Sequence, residues 1–247
     1  MGPLGEQRGD SSAEIERLQA RLDEQEQLLT HFLSRASHDL RGPARRIQML
    51  VAMIQEPGLA QADRRKILGF LADTAVNLKE MVEGFSALHG ARSRPLRASP
   101  DCDTRSCAQA ALEGRVLLVQ GLEDLPVVLA DPNALVDCFT ALIDNARLWS
   151  GQGDALELRF TAEALDGGWV VGVLDNGTGL TDPQQLSRAM LPFERLTSEG
   201  AEHVGLGLSL VATLADRMGG RAWAEQGPGL HVRLWLPGVP PCAAHEG

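Results

Sequence analysis

No run in the 247-residue sequence approaches the roughly 20 uncharged apolar residues that a membrane-spanning helix requires. Met1 to Gly9 lacks both the basic start and the apolar core of an export signal. A soluble cytoplasmic chain, or a soluble piece of a longer receptor, is therefore expected. Basic charge is also short: 23 Lys and Arg stand against 33 Asp and Glu, a formal net charge of -10. That argues against a protein that binds nucleic acid by neutralising phosphates, although it says little about a nucleotide held by backbone and metal. Cys102, Cys107, Cys138 and Cys242 form no CxxC pair and have no histidine at zinc-finger spacing. Four reduced thiols in a reducing compartment are expected, not a structural metal or a disulfide.

What is present is apolar residues in ordered patterns, 44% of the chain, enough for the core of one large domain or two small ones. Ile15, Leu18, Leu22, Leu29, Phe32 and Ala36 keep a three-four alternation broken at Gln25, the seam of a coiled coil. The pattern continues through Leu40, Ile47, Leu50, Val51 and Ile54 until Pro57 and Gly58 stop the helix. A second amphipathic helix places Ile67, Leu71, Ala75, Leu78, Val82, Phe85 and Leu88 on one face. An isolated hairpin leaves that stripe wet, so pairing of two copies into a four-helix bundle, a homodimer, is expected.

Beyond a Pro-, Arg- and Ser-rich segment the texture changes. Short β-like runs, RVLLVQ, PVVLAD, ALELRFTAEA, WVVGVLD and LHVRLWLP, alternate with helical stretches. The expected organisation is a flexible start over 1–13, a coiled coil and helical hairpin over 14–91, a linker over 92–100, an α+β domain over 101–238 and a flexible end over 239–247.

Two constellations carry chemistry. In SHDLRGPARRI, His38 is followed by Asp39 and then by Pro43. A histidine on the outward side of a bundle helix can offer one ring nitrogen as a nucleophile while the carboxylate holds the other N–H. Pro43 is expected to loosen the helix below it. In the second half ALIDNARLW, DNGTGL, LPFERL and VGLGLSLV follow in fixed order. Asn145 supplies a neutral oxygen able to reach Mg²⁺. Asp175 leaves an apolar strand where a carboxylate can accept from an exocyclic amine, and Gly177 and Gly179 leave room for a base and for backbone turns. Gly205 and Gly207 precede a helix whose N-terminal N–H groups can cradle phosphate. Each is weak alone, since DNG is a common turn and a glycine pair often precedes a helix.

Together these segments resemble the histidine protein kinases from about Leu28 to Leu236, with an H-box at His38, an N-box at Asn145, a G1-box at Asp175, an F-box at Phe193 and a G2-box at Gly205, Leu206 and Gly207. The resemblance implies an α+β multidomain chain: a dimeric four-helix bundle, then a two-layer α/β sandwich of the Bergerat ATPase type. No GK[ST] phosphate loop occurs, in keeping with that fold. It further implies that ATP with Mg²⁺ phosphorylates His38, that Asp39 is the base, that Asp175 binds adenine and Asn145 the metal, and that Arg195 meets the γ-phosphate. The polar segment ERLTSEGAEHV would be a short ATP lid. The partner implied is a response-regulator receiver domain docking near Arg41, Arg45 and Arg46.

The sequence departs from that family in three places. Ala141 stands where many N-boxes carry an asparagine, and Leu148 and Trp149 replace a phosphate-contacting lysine and the aromatic after it, which implies weaker ATP binding or turnover. Gly42 stands four residues after His38, where phosphatase-competent members carry Thr or Asn. His203 replaces the first glycine of the G2 run. A rival reading, a histidine phosphotransferase with a degenerate nucleotide domain, is thereby kept open, and a chaperone- or topoisomerase-like ATPase would not need the helices carrying His38.

Overall fold

The computed structural model describes residues 34–115, 117–150, 155–180, 182–192 and 205–238, together with Gln19, Thr30 and Glu194. The seam expected over Ile15 to Phe32 falls outside these residues, as do Phe193, Arg195 and His203. The chain divides into two compact units, Met1–Leu78 and Lys79–Gly247.

The first unit contains helix α1, residues 34–54, and the first part of helix α2, Gln61–Ser93. Gly58 takes a φ of +88° in the turn between them, a conformation that costs an L side chain energy and glycine little, so the PG pair stops the helix as its chemistry requires. α1 runs helical through Pro43. Ala36, Leu50, Ile67 and Thr74 are buried, whereas Met49, Val51, Met53, Leu68 and Phe70 stand exposed.

The second unit is an α/β sandwich. Its order after α2 is β1 (Ser99–Asp103), α3 (Thr104–Leu112), β2 (Leu118–Gln120), β3 (Val127–Ala130), α4 (Pro132–Trp149), β4 (Glu157–Leu165), β5 (Gly168–Asp175), α5 (Pro183–Arg188), α6 (Gly207–Arg217), β6 (Arg221–Gln226) and β7 (Leu230–Pro237). Five strands form a sheet in the order β2-β4-β5-β7-β6, and β1 pairs with β3 in a separate two-stranded ribbon. Only β2 and β4 run parallel; the other pairs are antiparallel. The strand β1 arises from SPDCD, where Pro100 and two aspartates give no strand signal, and it pairs on one side only, the place a proline is tolerated.

Side-chain alternation divides the sheet into two faces. In β7 Leu230, Val232, Leu234 and Leu236 are buried on one face, and register sets Val173 opposite Val232 and Val171 opposite Leu234. Phe160 of β4 stands opposite Val173 on that face and meets Phe139 of α4 edge-on, centroids 5.5 Å apart at 77°. The other face mixes charge with apolar cover: Arg233 binds Glu163 at 2.6 Å and Glu225 at 3.3 Å, and Trp235 stands opposite the buried Val170. Thr161 and His231 meet there at 3.1 Å across Gly172, where a Cβ would stand 2.7 Å from both. The same parity puts Asp175, two residues beyond Val173, on the helix-facing side.

Candidate functional site

His38 lies on α1 with its side chain 80% exposed, and Nδ1 stands 3.1 Å from Asp39 Oδ1. A carboxylate only accepts, so Nδ1–H donates and the lone pair of a neutral ring is on Nε2. Pro43 has no N–H to give the Asp39 carbonyl, the helical acceptor four residues back. A Cβ on Gly42 would meet nothing within 4 Å, so the helix surface one turn below His38 is bare. Arg41, Arg45 and Arg46 are exposed beside it.

In the second unit the site begins with α4. Asp131 caps it, Oδ1 accepting the Ala134 N–H at 3.0 Å, and Pro132 occupies the first turn, where its missing N–H costs nothing. Oδ2 of the same carboxylate accepts the Arg97 N–H at 2.6 Å. Burial works to raise the Asp131 pKa, yet these backbone donors and the charge of Arg94 hold it below the ordinary aspartate value. One face of α4 buries Leu135, Phe139, Leu142 and Ile143 in the core. A neighbouring face, repeating every four residues, sets Asp137, Ala141 and Asn145 along a cavity.

The end of β5 forms the cavity's second side. Asp175 is buried, and its Oδ1 accepts the N–H of Gly177 at 2.9 Å and of Leu230 at 3.0 Å. Burial pushes its pKa up against the pull of those two donors. Gly179 has a φ of +63°, and a Cβ there would stand 2.7 Å from the Gly229 carbonyl. The loop that carries Asp175 is thus packed backbone against backbone, which fixes the carboxylate while leaving its second oxygen for a ligand.

The third side is the start of α6. Asp103, Asp131 and Asp182 cap α3, α4 and α5 with side-chain oxygens, but at α6 the cap position is Leu206, whose side chain makes no cap hydrogen bond. The N–H groups that open a helix have no partners within it, and here they border the cavity beside Gly205, Leu206 and Gly207. They carry the positive end of the helix dipole, suited to phosphate oxygens.

The cavity has a volume of about 680 Å³ and is lined by Asn145, Asp175, Gly179, Gly205, Leu206 and Gly207 among others, a size suited to a cofactor-like ligand. Six sequence-selected residues therefore converge. Gly177 acts from behind the wall, and Phe193 and Arg195 lie outside the described residues. Sequence reasoning missed the wall supplied by α2 and the residue just beyond it: Gly84, Ala87, Gly90, Ala91 and Arg94. A Cβ on Gly84 would stand 3.1 Å from a Leu206 methyl. The small residues at spacings of three and four were the available signal.

A family model described as histidine kinase-, DNA gyrase B-, and HSP90-like ATPase matches residues 130–240. The chain is 38% identical over 135 residues to the sensor histidine kinase component HK1 of Mycobacterium tuberculosis, covering 53% of this chain and 77% of that one. It is 28% identical over 225 residues to the swarming motility regulation sensor protein RssA of Serratia marcescens, covering 87% of this chain and 47% of the relative. A probable sensor histidine kinase of Mycobacterium tuberculosis is 32% identical over 214 residues, with 85% and 53% covered. The chain thus spans about half the length of these two longer relatives. Among solved structures the Acinetobacter baumannii histidine kinase AdeS has a TM-score of 0.57 at 19% identity, over 81% of this chain and 97% of that one, a likeness of fold. Sequence kinship across most of a relative's length thus joins a Bergerat-type sandwich and a cavity built from the expected boxes, and the chain belongs to the sensor histidine kinases.

Proposed function

We propose that this chain phosphorylates His38 from ATP bound with Mg²⁺ and passes the phosphoryl group to an aspartate on a response-regulator receiver. The observation that carries this reading is the convergence on one cavity of the Asp175 carboxylate, the Asn145 amide and the uncapped first turn of α6. The free oxygen of Asp175 accepts the adenine amine, and the α6 N–H groups take phosphate oxygens.

Among the described residues no group of three or more His, Cys, Asp and Glu is arranged to hold a metal. Mg²⁺ keeps several waters and takes few protein ligands when phosphates hold it, and in this reading the Asn145 amide on the cavity wall would contribute one oxygen. Such an ion would supply charge neutralisation on the phosphates. At His38, Nε2 attacks the γ-phosphorus, a nitrogen–phosphorus bond forms as the bridging oxygen–phosphorus bond breaks, ADP leaves, and Asp39 takes up the Nδ1 proton.

The bare apolar positions Met49, Val51, Met53, Leu68 and Phe70 suit burial against a second copy. The exposed Arg41, Arg45 and Arg46 suit an acidic receiver surface. The segment 92–100 is the proposed joint between a phosphotransfer domain, 14–91, and a catalytic domain, 101–238. Among the described residues no helix is long and apolar enough to cross a membrane, and a cytoplasmic site of action follows from the need for ATP and a receiver.

A second reading, a phosphotransferase whose nucleotide domain no longer binds ATP, draws on Ala141 and Leu148, which line the cavity without charge or polarity. Incubation with labelled ATP and Mg²⁺ separates the two. The kinase reading requires an acid-labile label that His38→Gln abolishes. Bound ATP with no label on the protein, or phosphate release alone, refutes it.

A further inference from the structure

The helical hydrogen bonding of α2 runs out at Ala91. The Arg94 N–H donates to the Gly90 carbonyl at 2.8 Å, and the next acceptor along, the Ala91 carbonyl, would take the N–H of residue 95, which is Pro95 and has none. Ala91 sits in the core of the second unit at 5% exposure, a place where a carbonyl without a donor is costly. The donor comes from α6. Arg217, its last residue, gives a guanidinium N–H to the Ala91 carbonyl across 126 residues of sequence. A cation there also suits the negative end of the α2 dipole.

We propose that Arg217 is a positioning residue for the cavity: by capping the end of α2 that Pro95 leaves open, it holds that helix in place as a wall around the nucleotide. The inference rests on the reading of the cavity as an ATP site and adds what keeps one of its sides in register.

The wall is attached at both ends of α6. At its start the Leu206 side chain lies against α2 about two turns before Ala91, where a Cβ on Gly84 would stand 3.1 Å from a Leu206 methyl. At its end stands the Arg217 bond. Between these points Ala87 faces the cavity, as Gly84 and Ala91 themselves do. Helices α2 and α6 thus run side by side, and the N–H groups suited to phosphate lie at the Gly84 end. Arg217 is not among the residues lining the cavity, so its influence on a ligand passes through the wall.

The two attachments differ in kind. Apolar contact at Leu206 has no preferred direction, so by itself it lets α2 pivot. The guanidinium bond is directional and comes from a planar, pre-organised donor fork, which removes that freedom. A further tie near this end, the ion pair of Arg94 with Asp137, joins side chains that are 42% and 47% exposed, and pairs in that setting hold little. Beyond Pro95 the Arg97 N–H is bound to Asp131 at 2.6 Å, which fixes the chain after the helix but supplies nothing to Ala91.

The test combines calorimetric titration of the whole chain and its variants with ATP and Mg²⁺, and hydrogen exchange of the α2 amides of residues 88–93. Arg217→Met keeps the stem and loses the donor. It should weaken ATP by about three- to tenfold; Arg217→Lys, which can still donate, should fall between it and the parent. Coupling is reciprocal, so ATP should slow exchange at 88–93 in the parent and do so far less in Arg217→Met. A merely structural bond behaves differently: the Tm falls, but the folded variant binds ATP as the parent does, and nucleotide protects 88–93 undiminished. Either of those two results overturns the proposal, as does an Arg217→Lys variant no better than Arg217→Met. If Arg217→Met does not fold, Arg217→Lys against the parent carries both readouts. Absence of ATP binding by the parent chain instead overturns the reading of the cavity itself, and this inference with it.

Discussion

The Trp149 carbonyl oxygen, at the end of α4, lies 2.6 Å from where a Cβ on Gly177 would stand, and it accepts the Thr178 N–H at 3.3 Å. Helix and loop are thus joined by backbone atoms, and the distance between Asn145 and Asp175 is set by a contact that admits no side chain.

Gly177→Ala is therefore expected to push the loop off α4. The new methyl meets a carbonyl and, at 3.1 Å, Asp175 Oδ1, so neither neighbour is a flexible tip that can yield. A destabilisation of about 1–3 kcal/mol, typical of overpacking, should appear in urea melts, accompanied by at least a tenfold loss of ATP affinity in calorimetry. Wild-type affinity in the variant would show that the loop is not held as described.

Asp175→Asn separates stability from binding. The asparagine keeps one oxygen for the N–H groups of Gly177 and Leu230 but replaces the ligand-facing acceptor with a donor, so ATP binding should be lost. Stability moves the other way. Burial raises the Asp175 pKa in the folded chain, so its contribution is full below the unfolded value and is lost as pH rises through the folded one. The variant carries no such penalty. Its Tm should match the parent in acid and equal or exceed it at neutral pH and above, with the gap opening as the carboxyl ionises; a gap that closes with rising pH would contradict the argument.

Asp131 provides the opposite sign. Its pKa is lowered in the fold, so the stability it adds is present above the unfolded aspartate value and is lost as pH falls through the folded one. Asp131→Ala should cost about 1–2 kcal/mol at pH 7, the range for a lost N-cap. The cost should shrink toward zero in urea melts carried down into the acid range. A pH-independent difference would place the effect in packing rather than in the charge.

Much of this was legible in the sequence because the signals are local. The PG pair ended a helix, VVGVL read as an apolar strand and LHVRLWL as an alternating one, and Asp175, Asn145 and the glycines of VGLGL were recognisable by type and order. Arg94 was not. Nothing near RSRPLR points to a cavity, and its partner Asp137 is 43 residues away in sequence, a pairing that only the packed α4 and α2 create. The strand β1 was missed for a related reason: SPDCD has little intrinsic preference for extended structure and gains it by pairing with VVLA. The ends of the lid region, with Phe193 and Arg195, were read from type alone and lie outside the described residues.

The five-stranded sheet is blunt at both borders. One margin is the three-residue β2, and the other, β6, carries Arg221 at its start with the guanidinium laid over the Trp223 ring at 5.4 Å. Brevity on one side and charge on the other deter a foreign strand from zipping on. Neither described margin therefore offers a neighbouring chain an inviting strand to extend.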